Sequence, residues 1–212
     1  MKDIPLFTSE FGVASLTLSQ IPYKKCAYIR LQSTKDPKQL LSECIGFCRA
    51  CGAERIFATG DSILEAYPLD TTILAMTCLS ENLSQTDAAL FPVTQETLEY
   101  WRTLYNEKMQ TVPHAAHMSR QEANRLIAEG DGYFIHRNGT LLGIGKASHG
   151  KIDTLAAALS GAGRDVVLAL ASLTVEDTIR LEVADKNQKA LQLYERLGFV
   201  PVGEAARWYQ VD

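Results

Sequence analysis

Two short stretches of the chain carry residue types that could do chemistry. In the first, SGAGRD (160–165) lies where the predicted strand KIDTLAAA (151–158) passes into the predicted helix VVLALASL (166–173). Free backbone N–H groups and the positive end of a helix dipole converge at such a junction, and glycines let an anion approach closely. The pattern predicts a pyrophosphate site, although two glycines in a tight turn are also common in purely structural turns.

The second stretch is NQKALQLYERLGF (187–199). Asn187 is a good N-cap, and Gly198 allows the helix to end in a left-handed turn. Tyr194 lies at helical spacing on the apolar face. Its hydroxyl either serves as a proton donor or belongs to a core tyrosine whose oxygen reaches the edge of the core.

Composition limits the possible partners. The 212 residues include 21 Lys and Arg against 25 Asp and Glu, so the net charge of −4 offers no basic surface for nucleic acid or anionic membranes. No apolar run approaches the ~20 residues that span a bilayer, and the start of the chain does not resemble a secretory signal. We therefore expect a cytoplasmic protein with no nucleic-acid or membrane partner.

Three of the five cysteines, Cys44, Cys48 and Cys51, have a C-x3-C-x2-C spacing that resembles the iron–sulfur motif of radical SAM enzymes. The surrounding sequence favours a different interpretation. A capping box at 36–39, with proline at the first helical position, predicts an amphipathic helix over 36–51. The cysteines fall on its apolar face, where thiols behave as small hydrophobic groups. We expect no metal site here.

Periodicity predicts a mixed α+β protein with helices on both faces of the sheet. A polar linker at 80–88 separates two segments. The first segment has predicted strands at 14–21, 26–33, 55–60 and 72–78 and the helix at 36–51. The second has predicted strands at 89–94, 151–158, 178–185 and 200–211, helices at 95–109 and 119–130, and a hairpin at 132–148 that turns at Asn138–Gly139.

The element order, the SGAGRD turn and above all LEVADKNQKALQLYERLGFVPVGE (181–204) resemble the GNAT superfamily of acyl-CoA-dependent N-acyltransferases. The resemblance implies a three-layer fold whose mostly antiparallel sheet has a V-shaped splay between two parallel strands. Residues 1–84 resemble a partial, degenerate copy without the turn or the tyrosine helix. Residues 85–212 resemble a complete GNAT domain.

The resemblance also implies a set of roles around acetyl-CoA as co-substrate. Backbone N–H groups of the strand before the turn would bind the thioester carbonyl and pantetheine, the turn would hold the pyrophosphate, Asn187 would touch the pantetheine arm, and Tyr194 would protonate the departing thiolate. The strand residues are Leu155, Ala156 and Ala157, and the turn residues are Ser160, Gly161, Ala162, Gly163 and Arg164. The sequence departs from the family signature at Ala158, where Arg or Gln is usual.

Glu182 is the predicted general base, because its spacing of twelve residues before Tyr194 resembles ribosomal-protein-alanine acetyltransferases of this superfamily. It could equally pair with Arg180 or a surface lysine. His114, His117 and His136 are alternative bases. The expected activity is transfer of an acetyl group to a primary amine of a small molecule or peptide by direct attack, in a monomer or homodimer. The alternative is a catalytically lapsed module that binds acyl-CoA.

Overall fold

A computed structural model describes residues 2–212, which form two compact units. Unit 1 comprises the chain up to Ile73 together with Glu204–Asp212, and unit 2 comprises Leu74–Gly203. Two long strands, Leu69–Leu79 and Val200–Gln210, each contribute residues to both units.

Unit 1 has one six-stranded sheet and one long helix. Its elements in chain order are β1 (Ile4–Ser9), β2 (Gly12–Thr17), α1 (Ile21–Lys24), β3 (Cys26–Thr34), α2 (Pro37–Ala50), β4 (Arg55–Thr59), a 3₁₀ helix (Ser62–Ala66) and the first part of β5 (Leu69–Leu79). The strand order is β1-β2-β3-β4-β11-β5, where β11 is Val200–Gln210. β3 and β4 are parallel, whereas β1 with β2, β2 with β3, and β4 with β11 are antiparallel.

Helix α2 confirms the predicted capping and the hydrophobic role of two cysteines. The Asp36 carboxylate accepts a hydrogen bond from the Gln39 backbone N–H at 3.1 Å. Cys44 and Cys48 are fully buried in the unit 1 core against Ile29 and Ile56 of the sheet. Burial raises the pKa of both thiols to about 12, so neither is a ready thiolate.

Unit 2 has helices on both faces of its sheet. After β5 come β6 (Ala89–Pro92), α3 (Leu98–Met109), α4 (Arg120–Glu129), β7 (Gly132–Arg137), β8 (Thr140–Ser148), β9 (Lys151–Ala157), α5 (Gly163–Ala171), β10 (Thr178–Ala184) and α6 (Gln188–Arg196). The strand order is β5-β10-β9-β8-β7-β6. β9 and β10 run parallel, whereas β6 with β7, β7 with β8, and β8 with β9 are antiparallel, so the sheet is mostly antiparallel as expected.

The two faces of this sheet bury separate clusters. Helices α3 and α4 pack against Phe134, Ile144 and Ala156, whereas α5 and α6 pack against alternate residues such as Ile135 and Leu155. The alternation follows from the two-residue period of a strand. The predicted α+β fold with helices on both faces is confirmed.

In unit 2, capping and turn residues predict where helix α4 begins and where the β7–β8 hairpin turns. Ser119 and Glu122 form the predicted capping box at the start of α4. Asn138 and Gly139 both have positive φ, at 50° and 76°, as a two-residue hairpin turn of type I′ requires. Helix α3 begins at Leu98 rather than at residue 95, because Thr94 and Thr97 hold the preceding turn with their own hydrogen bonds.

Within residues 2–212, no helix is long and apolar enough to cross a bilayer. The same residues contain no group of three or more His, Cys, Asp or Glu side chains arranged to hold a metal ion.

Candidate functional site: a slot between two parallel strands

Strands β9 and β10 pair over only two residues each. Lys151 lies opposite Arg180 and Ile152 lies opposite Leu181, and no further pair joins these seven-residue strands. The space between β9 beyond Ile152 and β10 beyond Leu181 is called the slot below. It confirms the expected splay between two parallel strands.

A β-bulge lies where the slot begins. Lys146 and Ala147 are consecutive in β8, but their partners in β9 are Thr154 and Ile152, so Asp153 is an extra residue. Bulges re-aim the backbone and interrupt pairing. The bulge and the end of the β9–β10 ladder therefore coincide.

Backbone geometry shows which N–H groups of β9 face the slot. Ala158 donates its N–H to Leu142 of β8 at 2.8 Å. Because donors alternate along an antiparallel strand, the N–H of Ala156 also points to β8. The N–H groups of Leu155 and Ala157 point the other way, towards β10, and the β9–β10 ladder does not reach them.

The glycine turn connects β9 to α5 in a way that leaves the helix start open. Gly161 has φ of +85°, a left-handed conformation that favours glycine. Ala162 is the N-cap and makes no side-chain cap hydrogen bond. A Cβ at Gly163 would come within 2.9 Å of the Leu193 side chain in α6. Because no side chain caps α5, its first backbone N–H groups keep their capacity to bind an anion.

Residues that sequence reasoning missed surround this turn. Arg164 donates to the Ser84 hydroxyl at 2.6 Å. Arg137, at the end of β7, pairs with Asp165 and with Asp87, each at 2.6 Å. The segment 80–88, which the sequence predicts to be a polar linker, therefore holds the start of α5 through hydroxyl and carboxylate groups. In the sequence, only the charged residues of SGAGRD indicate that this turn makes such contacts, because the partner residues lie far away along the chain.

Helix α6 places Tyr194 in the core of unit 2. Its side chain is 6% exposed and its ring lies 5.9 Å from that of Phe199. Burial raises the pKa of the phenol to about 12. Asn187 is the N-cap of α6, as predicted, and its side chain accepts from the Ala190 N–H at 3.4 Å. Gly198, with φ of +92°, ends the helix as expected.

Glu182 is an exposed residue of β10 and forms an ion pair with Lys151 at 3.4 Å. Lys151 also pairs with Asp153 at 3.2 Å. Of the two partners that the sequence allows for Glu182, Arg180 or a surface lysine, the structure therefore shows the lysine. The carboxylate lies one residue beyond the last β9–β10 pair, and so at the closed end of the slot.

The three histidines predicted as alternative bases occupy different environments. His117 lies 3.5 Å from the Asn106 amide in the loop after α3, where Asn106 also accepts from the Met118 N–H at 2.7 Å. His114 has a left-handed backbone in the same loop, with φ of +56°. His136 lies on β7 with its ring against Phe91 and Phe134, 5.3 Å and 6.4 Å away. Tyr105 is buried, as its helical spacing predicts.

The sequence matches no protein-family model and no curated protein. Solved structures do share the fold. A GNAT-family acetyltransferase from Colwellia psychrerythraea is 14% identical with a TM-score of 0.56, over 98% of this chain and 84% of that one. A tandem GNAT protein from the clavulanic acid biosynthesis pathway is 12% identical with a TM-score of 0.52, over 96% and 80%. A GCN5-related N-acetyltransferase from Anabaena variabilis is 10% identical with a TM-score of 0.61, over 94% and 59%.

The chain therefore has the fold of GNAT acetyltransferases. Because identities of 10–14% establish only the fold, the activity has to be argued from the slot and its neighbours.

Proposed function

We propose that unit 2 is an acetyl-CoA-dependent N-acetyltransferase that acts on a primary amine of a small molecule or peptide. The observation that carries the proposal is the slot itself, which opens at a bulge and leads to an uncapped helix start through a glycine turn. Unit 1 is proposed to be a degenerate copy of the same fold.

The slot offers acetyl-CoA a row of unused backbone donors. The N–H groups of Leu155 and Ala157 would bind the pantetheine arm and the thioester carbonyl, as a strand would. The turn from Ser160 to Arg164 would hold the pyrophosphate at the start of α5. Loss of the family's usual Arg or Gln at Ala158 is compatible with this, because the turn supplies backbone N–H groups.

The reaction is direct attack of the amine nitrogen on the thioester carbon. The C–N bond forms, the C–S bond breaks, the nitrogen loses a proton and the sulfur leaves as a thiolate. Holding the two reactants in the slot supplies much of the rate gain, because a positioned bimolecular step can save ~7 kcal/mol or more. Acetyl-CoA supplies the activated acyl group when bound.

Tyr194 is proposed to donate a hydrogen bond to the sulfur as negative charge develops there. Its phenol has a pKa of about 12 and stays protonated at neutral pH. A thiol has a reference pKa of ~8.5, so complete proton transfer from Tyr194 is unfavourable. Its contribution is charge stabilisation, at the low end of the ~100-fold to 10,000-fold range of general acids.

Glu182 is the proposed base at the closed end of the slot. Its pair with Lys151 is half exposed, so water screens the interaction and a substrate ammonium can compete for the carboxylate. The ion pair is also what favours the second candidate, a module that binds acyl-CoA without transfer, because an engaged carboxylate is a weaker base.

Two measurements test the proposal. Isothermal titration with acetyl-CoA should give one site per chain, located in unit 2. Mass spectrometry of a panel of small primary amines and peptides should detect the gain of one acetyl group, and Glu182→Gln should slow transfer without changing acetyl-CoA affinity. Binding without any transfer would favour the lapsed module, and absence of binding would falsify both.

A further inference from the structure

A second cavity lies in unit 2 at the opposite end of α5 from the glycine turn. Its volume is about 150 Å³. A cavity needs only ~10–15 Å³ to hold one water molecule, so this cavity has room for a molecule of several atoms. It is lined by the ends of α4 and α5, the start of β7 and the turn between β8 and β9.

Two helix C-termini converge on this cavity. Glu129 and Gly130 end α4, and Leu170 and Ala171 end α5, and all four line the wall. The carbonyl end of a helix carries a partial negative charge, worth about half an elementary charge. Both helix ends therefore add negative potential at the cavity, where the carbonyls of Leu170, Ala171 and Gly130 already accept hydrogen bonds from within the chain.

Two carboxylates add to this field. Asp131 is 5% exposed and lines the cavity, and Glu129 stands beside it. Lys146 pairs with both, at 2.9 Å from Glu129 and 3.2 Å from Asp131 Oδ2, so one lysine serves two acids. Lys151, also in the lining, is already paired with Asp153 and Glu182. The lining thus carries an excess of negative charge.

One oxygen of Asp131 has no donor. Asp131 Oδ1 is buried and lacks a hydrogen-bond partner among residues 2–212. Burial raises the pKa of this carboxyl despite the neighbouring lysine. An unsatisfied buried acceptor is costly, and a ligand N–H group would remove that cost.

The rest of the lining excludes a metal ion as the best occupant. Ile152, Leu170, Leu173 and Ile179 form an apolar part of the wall. Hard metal ions take six or more oxygen ligands, whereas an organic ammonium ion pairs one charged end with an apolar body.

We infer that this cavity binds a small aliphatic ammonium ion, with the ammonium group on Asp131 and between the two helix ends. The cavity borders the paired end of β9 and β10, where Lys151 lines it and pairs with Glu182, and the inference does not depend on the proposed acetyl transfer.

Propylammonium chloride is the probe, followed by amide chemical shifts of Gly130 and Gly150. The expected result is saturable binding with a dissociation constant of about 1 mM, a scale that a ligand of four non-hydrogen atoms reaches. 1-Propanol, which has the same shape without the charge, should bind at least about tenfold more weakly. Potassium chloride at equal ionic strength should shift neither amide progressively.

Asp131→Asn should weaken propylammonium binding at least about tenfold, and Asp177→Asn, a change of an exposed aspartate outside the lining, should leave it unchanged. If Asp131→Asn does not fold, Glu129→Gln and Ala171→Leu decide, because one removes charge and the other fills the cavity. Equal binding of 1-propanol, tighter binding of calcium, or no saturable shift would overturn the inference.

Discussion

Units 1 and 2 share one run of elements in the same order, yet within residues 2–212 only unit 2 has a slot. In each unit a hairpin leads to a third antiparallel strand, then a helix, then a strand parallel to the third. In unit 1 the parallel pair is closed from Cys26–Arg55 to Arg30–Thr59, which uses the whole of β4. In unit 2 the pairing stops after two residues.

The position of a single extra residue accounts for this difference. Both third strands contain a bulge, at Gln32 in β3 and at Asp153 in β9. In each unit, parallel pairing ends just before the bulge. Because β3 has six residues ahead of its bulge and β9 has two, β4 can pair along its full length and β10 cannot. In neither unit does parallel pairing extend past the bulge, so an early bulge goes with a slot and a late bulge with a closed pair.

The helix starts differ in the same sense. In α2 the Asp36 carboxylate accepts a hydrogen bond from the Gln39 N–H. The negative charge of this side chain therefore lies at the positive end of the helix dipole. In α5 the N-cap is Ala162, which offers no side-chain acceptor. Unit 1 caps its helix start with a side chain, whereas the start of α5 has no side-chain cap and is where we propose that the pyrophosphate binds.

Deleting Asp153 should remove the difference altogether. Without the extra residue β9 becomes regular, and β10 can pair along it to close the slot. We expect no measurable acetyl-CoA binding, and new hydrogen-exchange protection at the Leu155 and Ala157 amides. A thermal melt checks that the variant folds. Retained binding in a folded deletion variant would show that the slot is not the cofactor site.

Tyr194→Phe should have the next largest effect, on rate alone. Turnover should fall about 100-fold while acetyl-CoA affinity stays within about twofold, because the phenol acts on the developing thiolate. Since its pKa is about 12, the rate should not decline through loss of this proton below about pH 11. Tyr67→Phe, after the 3₁₀ helix of unit 1, is the matched control. An unchanged rate would assign Tyr194 to packing only.

A third variant places a carboxylate at the start of α5, as Asp36 does at the start of α2. Gly163→Asp should weaken acetyl-CoA binding about tenfold or more, because the carboxylate would repel a phosphate at the helix start. Gly163→Asn has nearly the same shape and the same contact with Leu193, so it should lose much less. Titration calorimetry compares the two. Equal affinities would mean that no anion binds at this turn.

Local features of the fold could be predicted from sequence because each depends on a few adjacent residues. The side-chain cap at Asp36, the capping box at Ser119 and the Asn138–Gly139 turn are examples. Strand β1 was missed, because IPLFTS contains a proline and has no clear alternation of buried and exposed residues.

The candidate site was predictable in residue type but not in geometry. The SGAGRD motif predicts the turn that follows β9, and the tyrosine-helix motif predicts α6. The bulge at Asp153, the pairing of Glu182 with Lys151, and the divided directions of the β9 N–H groups depend on register between strands, which no local pattern encodes.

The composition of unit 1 has a consequence for biosynthesis. Residues 204–212 contribute a strand beside β4, and Tyr209 and Val211 lie in its hydrophobic core. A ribosome makes these residues only after Leu74–Gly203 of unit 2, so the sheet of unit 1 is incomplete until they emerge. During translation, unit 2 can assemble its core while unit 1 is still missing a strand.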